Sequence, residues 1–445
     1  MQYDANSIKV LSGVEPIKQN PSMYIGSTGS FGLHHLILEI VSNSVDEALG
    51  GYGNEIITTI YKDGSVSVKD FGRGIPVGIN KEHNKPGLEV LFTTMNAGGK
   101  FDKESNYKFS AGLHGLGAKI VNALSLFTIV TVNKDGYKYK QTFAEGFKQS
   151  ELLNLGKTNE PNGSTVHFKP DPNVFKEVSE FDKKIVIRML KNIAYLNSGL
   201  TMKFTDERDN TNATYHYTSG LLDMLKDTIG ETNKQILPSP IKLTNTSEVI
   251  LKDGRHSEMQ TEIVLTYIDS STDIQAIRGY ANIAPTPGGG THITGFKMGL
   301  TRAINETART MQLFKANTEN LSGNETSEGL VAIVSVKHPS PEFEGQTKDK
   351  WNNADVQSII SSFVYNSLKN MFDDNPKLAA LIITRLLEQR RLKDSLKRYK
   401  EALTNKSNNT IKLAASGKLA HCQSTNAKEC ELYIVEGNLT QNCLR

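Results

Sequence analysis

The feature that most constrains the fold lies between residues 34 and 74, where the apolar spacing changes from helical to extended. Ile37, Ile40, Val41, Val45 and Ala48 make one stripe on a predicted helix, His34–Leu49. Ile56–Tyr61 then reads with a period of two, Asp63-Gly64 supplies a tight turn, and Ser65–Lys69 returns. A striped helix beside a hairpin belongs to a helix-on-sheet layer, and residues 1 to about 217 read as one α/β unit. Further along come a helix at Ala118–Leu124, strands at Phe127–Asn133, Lys138–Phe143 and Ser164–Lys169, and a helix at Asp182–Leu196.

The polar residues of this region carry the chemistry. Glu39 and Asn43 stand four apart on the helix and so leave the same face, with Asp46 near them. An exposed helix face is the ordinary reading of such a pair. The functional reading gives a carboxylate that takes a proton from an attacking water and an amide oxygen that ligates Mg²⁺. Asp70 ends the hairpin, and a carboxylate there can accept a hydrogen bond from an exocyclic amine such as that of adenine. Gly72 and Gly74 allow close approach of a ligand to the backbone. Gly98-Gly99-Lys100 and Gly112-Leu113-His114-Gly115-Leu116-Gly117 offer backbone amides, followed directly by a helix, for wrapping phosphates. His114 reads as structural or as a support behind the groups that touch the ligand. Together these point to a nucleotide site, and no Gly-x-x-x-x-Gly-Lys-Ser/Thr loop occurs anywhere in the chain.

At 445 residues the chain is long enough for about three domains, and a net charge of +3 does not by itself indicate a nucleic-acid partner. Cys422, Cys430 and Cys443 have neither zinc-ribbon spacing nor an even count, so a reducing cytoplasm is the simple expectation. The first residues lack a signal-peptide core, and no run approaches a membrane span. A second unit carries strands at Thr261–Ile268 and Gly329–Lys337, a helix at Gly295–Thr310, and a Pro285–Gly290 loop. A loop at Phe343–Lys350 holds Gln346-Thr347-Lys348, a remote lysine able to reach another domain's phosphate site. A helix at Ala354–Phe372 ends at Asp373-Asp374-Asn375-Pro376. The long helix Lys377–Leu403 has seven basic and two acidic residues between Arg385 and Lys400. Asn20–Gly26 reads as a loop, Thr404–Asn409 as a polar linker, and Cys430–Val435 as a strand.

In order and spacing these motifs closely resemble the large (B-type) subunits of bacterial and phage type IIA DNA topoisomerases, gyrase and topoisomerase IV. The resemblance rests on Tyr24-Ile25-Gly26, Gly32-Leu33-His34-His35, Asp46-Glu47-Ala48-Leu49, Asp70-Phe71-Gly72-Arg73-Gly74-Ile75-Pro76 and Ala97-Gly98-Gly99-Lys100-Phe101. It extends through Gly112-Leu113-His114-Gly115, Gly289-Gly290-Thr291-His292, Gln346-Thr347-Lys348-Asp349-Lys350 and Glu431-Leu432-Tyr433-Ile434-Val435-Glu436-Gly437.

The resemblance implies an α+β chain. A Bergerat (GHKL-type) ATPase α/β sandwich with an N-terminal dimerisation arm would occupy 1–217. A ribosomal-protein-like βαβ transducer with its long C-terminal helix would occupy 218–403, and 404–445 would hold a linker and an incomplete Toprim domain. It implies ATP and Mg²⁺ as ligands, Glu39 as general base, Asn43 as Mg²⁺ ligand, and Asp70 on the adenine amine. Gly99, Lys100 and Leu113–Gly117 (including His114, Gly115 and Leu116) would hold phosphates. Gln346 and Lys348 would reach the γ-phosphate. Glu47, Arg73, Gly74, Ile75, Pro76, Tyr107 and Ser164 would join the nucleotide set, together with Tyr3 and Ile8 of the arm that clasps the other protomer. Glu436 would be the remnant of the Toprim metal site. The implied partners are DNA, a second copy of the chain through the ATPase domain, and a tyrosine-bearing A-type subunit, with no membrane. Ser42, Lys140 and Ser164 depart from the usual aspartate, arginine and threonine. After Glu436-Gly437 the family's Asp-Ser and later Asp-x-Asp are missing, as in a truncated, split or frameshifted chain. A non-cleaving, ATP-gated DNA clamp or a degenerate fragment is the alternative function.

Overall fold

The computed structural model describes residues 13–428 apart from 96, 98–108, 110–114, 179, 231–233, 270–275, 316, 346–347, 414–423, 425 and 427, with backbone alone at 276 and 402–413. The chain divides into two compact units, Met1–Ile382 and Ile383–Arg445.

The first unit opens with α1 (Glu15–Gln19), α2 (Pro21–Ile25) and α3 (Ser30–Leu49), then the hairpin β1 (Glu55–Ile60) and β2 (Val66–Asp70). The two-residue strands β3 (Ile79–Asn80) and β4 (Lys85–Pro86) precede α4 (Gly87–Thr93) and α5 (Gly117–Ala123). Next come β5 (Ser125–Lys134), β6 (Tyr137–Ala144), β7 (Phe147–Lys148), β8 (Leu153–Lys157) and β9 (Gly163–Pro170). Then follow α6 (Lys183–Leu196), β10 (Thr201–Asp206) and β11 (Thr211–His216). The strands form one sheet in the order β11-β10-β1-β2-β9-β5-β6-β7, with β8 also beside β6. All neighbours are antiparallel except β1 and β10.

The registers put one residue in two on a common inner face. Ile56, Ile60, Val66, Val68, Val130, Val132, Val166, Phe168, Met202 and Phe204 lie there, all buried with the apolar side of α3 (Leu33, Leu36, Ile37, Ile40, Val41, Val45) in one core. Each such apolar side chain contributes about 1.5–3 kcal/mol. At one end this inner face turns polar. Asp70 and Ser164, the residues two away from Val68 and Val166 on their strands, continue the same face. That polar end of an apolar face, under α3, is where a site is built.

Residues 20–26 are not the loop expected from sequence. Pro21 takes the first position of α2, where its fixed φ suits a helix and its missing N–H costs nothing. Gly26, at φ 78°, ends the helix with its N–H on the Ser22 carbonyl.

The rest of this unit holds α7 (Leu221–Ile229), β12 (Lys234–Gln235), β13 (Ile241–Ile250), β14 (His256–Asp269), β15 (Ala276–Ala281) and β16 (Ala284–Pro285). After them come α8 (Thr291–Thr310), α9 (Gly323–Thr326), β17 (Leu330–Lys337) and α10 (Ala354–Asp374). The second sheet runs β12-β14-β17-β15-β16, with β13 on β14. β15 and β17 are parallel, and α8 is the crossover between them. β17 is buried along nearly all its length, as suits a central strand covered on both faces. Val331 and Ile333 meet Leu221, Met224, Leu225 and Ile229 of α7 in one cluster with Tyr195 of α6, so the two sheets share a boundary.

The final helix, α11 (Pro376–Leu413), extends through the residues expected to form a polar linker at Thr404–Asn409. Those residues include no glycine or proline, and nothing local interrupts the backbone pattern.

Candidate nucleotide site

Asp70 is buried at the end of β2, and the hydrogen bonds it accepts define its use. Its Oδ1 takes the N–H of Gly72 at 3.0 Å and of Ser164 at 3.2 Å, and its Oδ2 takes the Ser44 hydroxyl at 3.1 Å. A carboxylate has about four acceptor positions, so Oδ2 keeps one for a donor from outside. Burial holds this carboxyl above the usual range, and the nearby negative Glu47 adds to the effect, while the three hydrogen bonds oppose it.

The loop after Asp70 is fixed by its neighbours. Ser164 Oγ accepts the N–H of Ile75 at 3.1 Å, so Ser164 holds both Asp70 and the loop. Glu47 pairs in bidentate fashion with Arg73, at 3.0 Å from Nε and 2.9 Å from Nη2, and also takes the Arg73 N–H at 3.0 Å. The guanidinium lies 4.2 Å from the centre of the Tyr52 ring. Gly74, at φ 77°, has space for no side chain, because a Cβ would stand 2.9 Å from the Asn133 carbonyl oxygen. Pro76 follows and packs on Gly87.

Glu39 lies where several elements meet. On α3, His35 Nε2 stands 3.0 Å from Glu39 Oε1. From the N-terminus of α5, Gly117 packs so closely that a Cβ there would be 2.2 Å from Glu39 Oε2. From the second sheet's side, Lys348 Nζ stands 3.8 Å from Glu39 Oε1, with both side chains mostly buried. Lys348 holds a φ of 59°, unusual for a residue with a side chain. The helix face of Glu39 and Asp46 is therefore buried rather than solvated, and Asn43 is half-buried one turn along.

Gly115, at φ 59°, and Leu116, the residue before α5, lead into that helix. Lys119 is fully buried, and its ammonium donates to the Ala97 carbonyl at 2.6 Å and to the Gly115 carbonyl. Tyr3, Ile8, Gly99, Lys100, Tyr107, Leu113, His114, Gln346 and Glu436 lie outside the described residues.

Sequence reasoning missed His35, Ser44 and Lys119. His35 carried a readable signal, since it precedes Glu39 by one helical turn. Ser44 and Lys119 act through contacts with distant backbone and side chains, which have no local signature.

Known proteins resemble this chain over nearly its whole length. The family described as "DNA gyrase B" matches residues 220–402, and "Histidine kinase-, DNA gyrase B-, and HSP90-like ATPase" matches 29–173. The DNA gyrase B protein of Thermotoga maritima is 42% identical over 440 residues, covering 98% of this chain and 67% of the relative. The chain belongs to the DNA gyrase B family. The Clostridium acetobutylicum member is 40% identical over 436 residues, covering 98% of this chain and 66% of its own length. Thus the chain spans about two thirds of these curated gyrase B relatives.

Among solved structures, the 43K ATPase domain of Thermus thermophilus gyrase B, in complex with an aminocoumarin, superposes with a TM-score of 0.69 at 32% identity. That match covers 87% of this chain and 98% of the other. The topoisomerase IV ATP-binding domain of Francisella tularensis, in complex with a small-molecule inhibitor, gives 0.68 at 30% identity, covering 86% and 99%. The first sheet and its helices are accordingly the GHKL-type ATPase fold of gyrase B. No described helix is long and apolar enough to cross a membrane.

Proposed function

We propose that this chain binds and hydrolyses ATP as the ATPase and transducer part of a type IIA topoisomerase, working in the cytoplasm. The observation that carries the reading is the convergence on Glu39 of His35, Gly117 and Lys348, with Asp70 held under the same helix. Asp70 accepts the adenine amine through its remaining Oδ2 position. Glu39 takes the proton of the water that attacks the γ-phosphate, and His35 orients that carboxylate. Lys348 places positive charge on the γ-phosphate, where charge shifts most in the transition state, and Gln346 reaches the same phosphate with its neutral amide. Gly99, Lys100 and Leu113–Gly117 wrap the phosphates. Mg²⁺ suits the donor set, since Asn43 offers a hard neutral oxygen of the kind that joins phosphate oxygens and waters around that ion. Held by Asn43 and phosphate oxygens, it would neutralise phosphate charge.

The domain boundaries 1–217, 218–403 and 404–445 follow from the same reading. Two copies would close on ATP around a DNA segment, each clasped by the other's arm through Tyr3 and Ile8. A tyrosine-bearing A-type subunit would supply strand cleavage. Lys348→Ala tests the core of this assignment. It should bind ADP as the parent does and lose most hydrolysis, because its partner is the γ-phosphate. Parent-like turnover in that variant would remove Lys348 from the mechanism.

A further inference from the structure

Lys348, in an uncommon backbone conformation with its N–H on the Gly345 carbonyl at 3.1 Å, is followed three residues on by a closely held tryptophan. Trp351 is fully buried, with its ring centre 5.0 Å from that of His292 and 5.7 Å from that of His338. Its indole N–H donates to Asn353 Oδ1, which also takes the Glu342 N–H at 2.6 Å. The glycine loop before α8 grips the same segment from the other side. Gly288 N–H donates to the Asp349 carbonyl at 2.9 Å, Trp351 N–H to the Gly289 carbonyl at 3.2 Å, and Thr291 N–H to the Trp351 carbonyl at 3.1 Å. Gly290, at φ 134°, lies so close that a Cβ would stand 2.3 Å from the Trp351 carbonyl oxygen. Only glycine permits both that φ and that approach.

We infer that Trp351 and Gly290 form a clamp that positions Lys348: they fix the chain after the lysine so that its ammonium projects to Glu39. The inference rests on the proposed role of Lys348. An ammonium on a flexible stem must give up more conformational entropy to make its contact if its backbone is loose, so a fixed root at φ 59° pre-organises the contact. The clamp acts through Lys348 and is a positioning device. Its signature is a lower kcat with unaltered ground-state binding.

The test uses the full chain with Gly290→Ala, Trp351→Ala and the milder Trp351→Phe, each alone and combined with Lys348→Ala. Steady-state ATP hydrolysis and ADP affinity are the readouts. Gly290→Ala and Trp351→Ala should lower kcat about 10- to 100-fold with ADP affinity within about twofold of the parent. Trp351→Phe, which keeps an aromatic ring and loses the N–H, should recover part of that loss. In the Lys348→Ala background the same changes should have almost no further effect, since the group they position is gone. An equal loss of kcat with and without Lys348 would overturn the clamp, as would parent-like kcat in both Gly290→Ala and Trp351→Ala. Trp351→Phe covers the case in which Trp351→Ala fails to fold. Normal turnover of Lys348→Ala alone would instead refute the role of Lys348.

Discussion

At the scale of single residues, the site is decided by which lone pairs remain available. Asp70 has both oxygens engaged by Gly72, Ser164 and Ser44, and the position left on Oδ2 accepts. Asp70→Asn keeps the size and can keep the two backbone N–H bonds, but it places an NH₂ where the adenine amine must donate. Nucleotide affinity should fall about 10- to 100-fold, in line with the roughly 1.5–3 kcal/mol of a hydrogen bond to a charged group. Thermal stability should change little; isothermal titration with ADP checks the first and a melt the second. Protonation acts in the same direction. Because burial raises the Asp70 carboxyl above the ordinary carboxylate range, ADP binding should weaken on acidification at a pH higher than an exposed aspartate would give, and Asp70→Asn should lose that dependence. Affinity that is flat with pH in the parent would contradict the assignment.

At the scale of elements, the close approach of α5 to α3 depends on Gly117. Gly117→Ala would push a methyl carbon into Glu39 Oε2 and displace the carboxylate. Turnover should drop by about 10²-fold or more, as for loss of a general base, with the fold retained; a pre-steady-state and steady-state ATPase assay distinguishes this from loss of binding. Beside the second sheet, burial pushes the imidazole of His292 on α8 down to about 3 and lowers His338, just past β17, as well. An unfolded histidine titrates near ~6.5. Between these values the unfolded chain binds a proton that the folded chain excludes. Stability is therefore full above about pH 6.5 and falls as pH drops towards 3, by about 1.4 kcal/mol per pH unit for His292 alone. Urea unfolding at about pH 7.5 and about pH 5.5 should show the lower midpoint under the more acidic condition.

The same elements show how much the sequence discloses. The helix carrying Glu39 and the hairpin ending at Asp70 were legible because their apolar periods are clean, although α3 begins earlier, at Ser30. Strands such as β11 and β13 alternate in burial residue by residue, but polar residues such as Thr211, Asn245 and Ser247 take inward positions, so the apolar period is faint in the sequence. Asn20-Pro21 looks like a turn, yet proline is equally at home in a first helical turn. Glu39, Asn43 and Asp70 could be picked out as site candidates. The contacts that hold Glu39 and Asp70 in place, made by Ser44, Ser164 and Gly117, depend on packing between distant elements.

For the whole molecule, ATP should link closure to assembly. With a non-hydrolysable ATP analogue, light scattering should find a dimer; with ADP, or after deletion of residues 1–12, a monomer. In the proposed mechanism the basic stretch Arg385–Lys400 contacts the captured DNA segment, and that DNA should be released as salt rises, because phosphate contacts dominate such binding. Glu39 and Lys348 belong to opposite halves of the first unit and stand 3.8 Å apart, and in the proposed mechanism they work on one phosphate as one device. A double-mutant cycle on kcat for ATP hydrolysis tests this most directly, using the parent, Glu39→Ala, Lys348→Ala and the pair. Residues that act as a unit are strongly non-additive, so the double variant should be about as slow as the slower single variant. Losses that multiply in the double variant would show that the two residues act independently and would contradict the account.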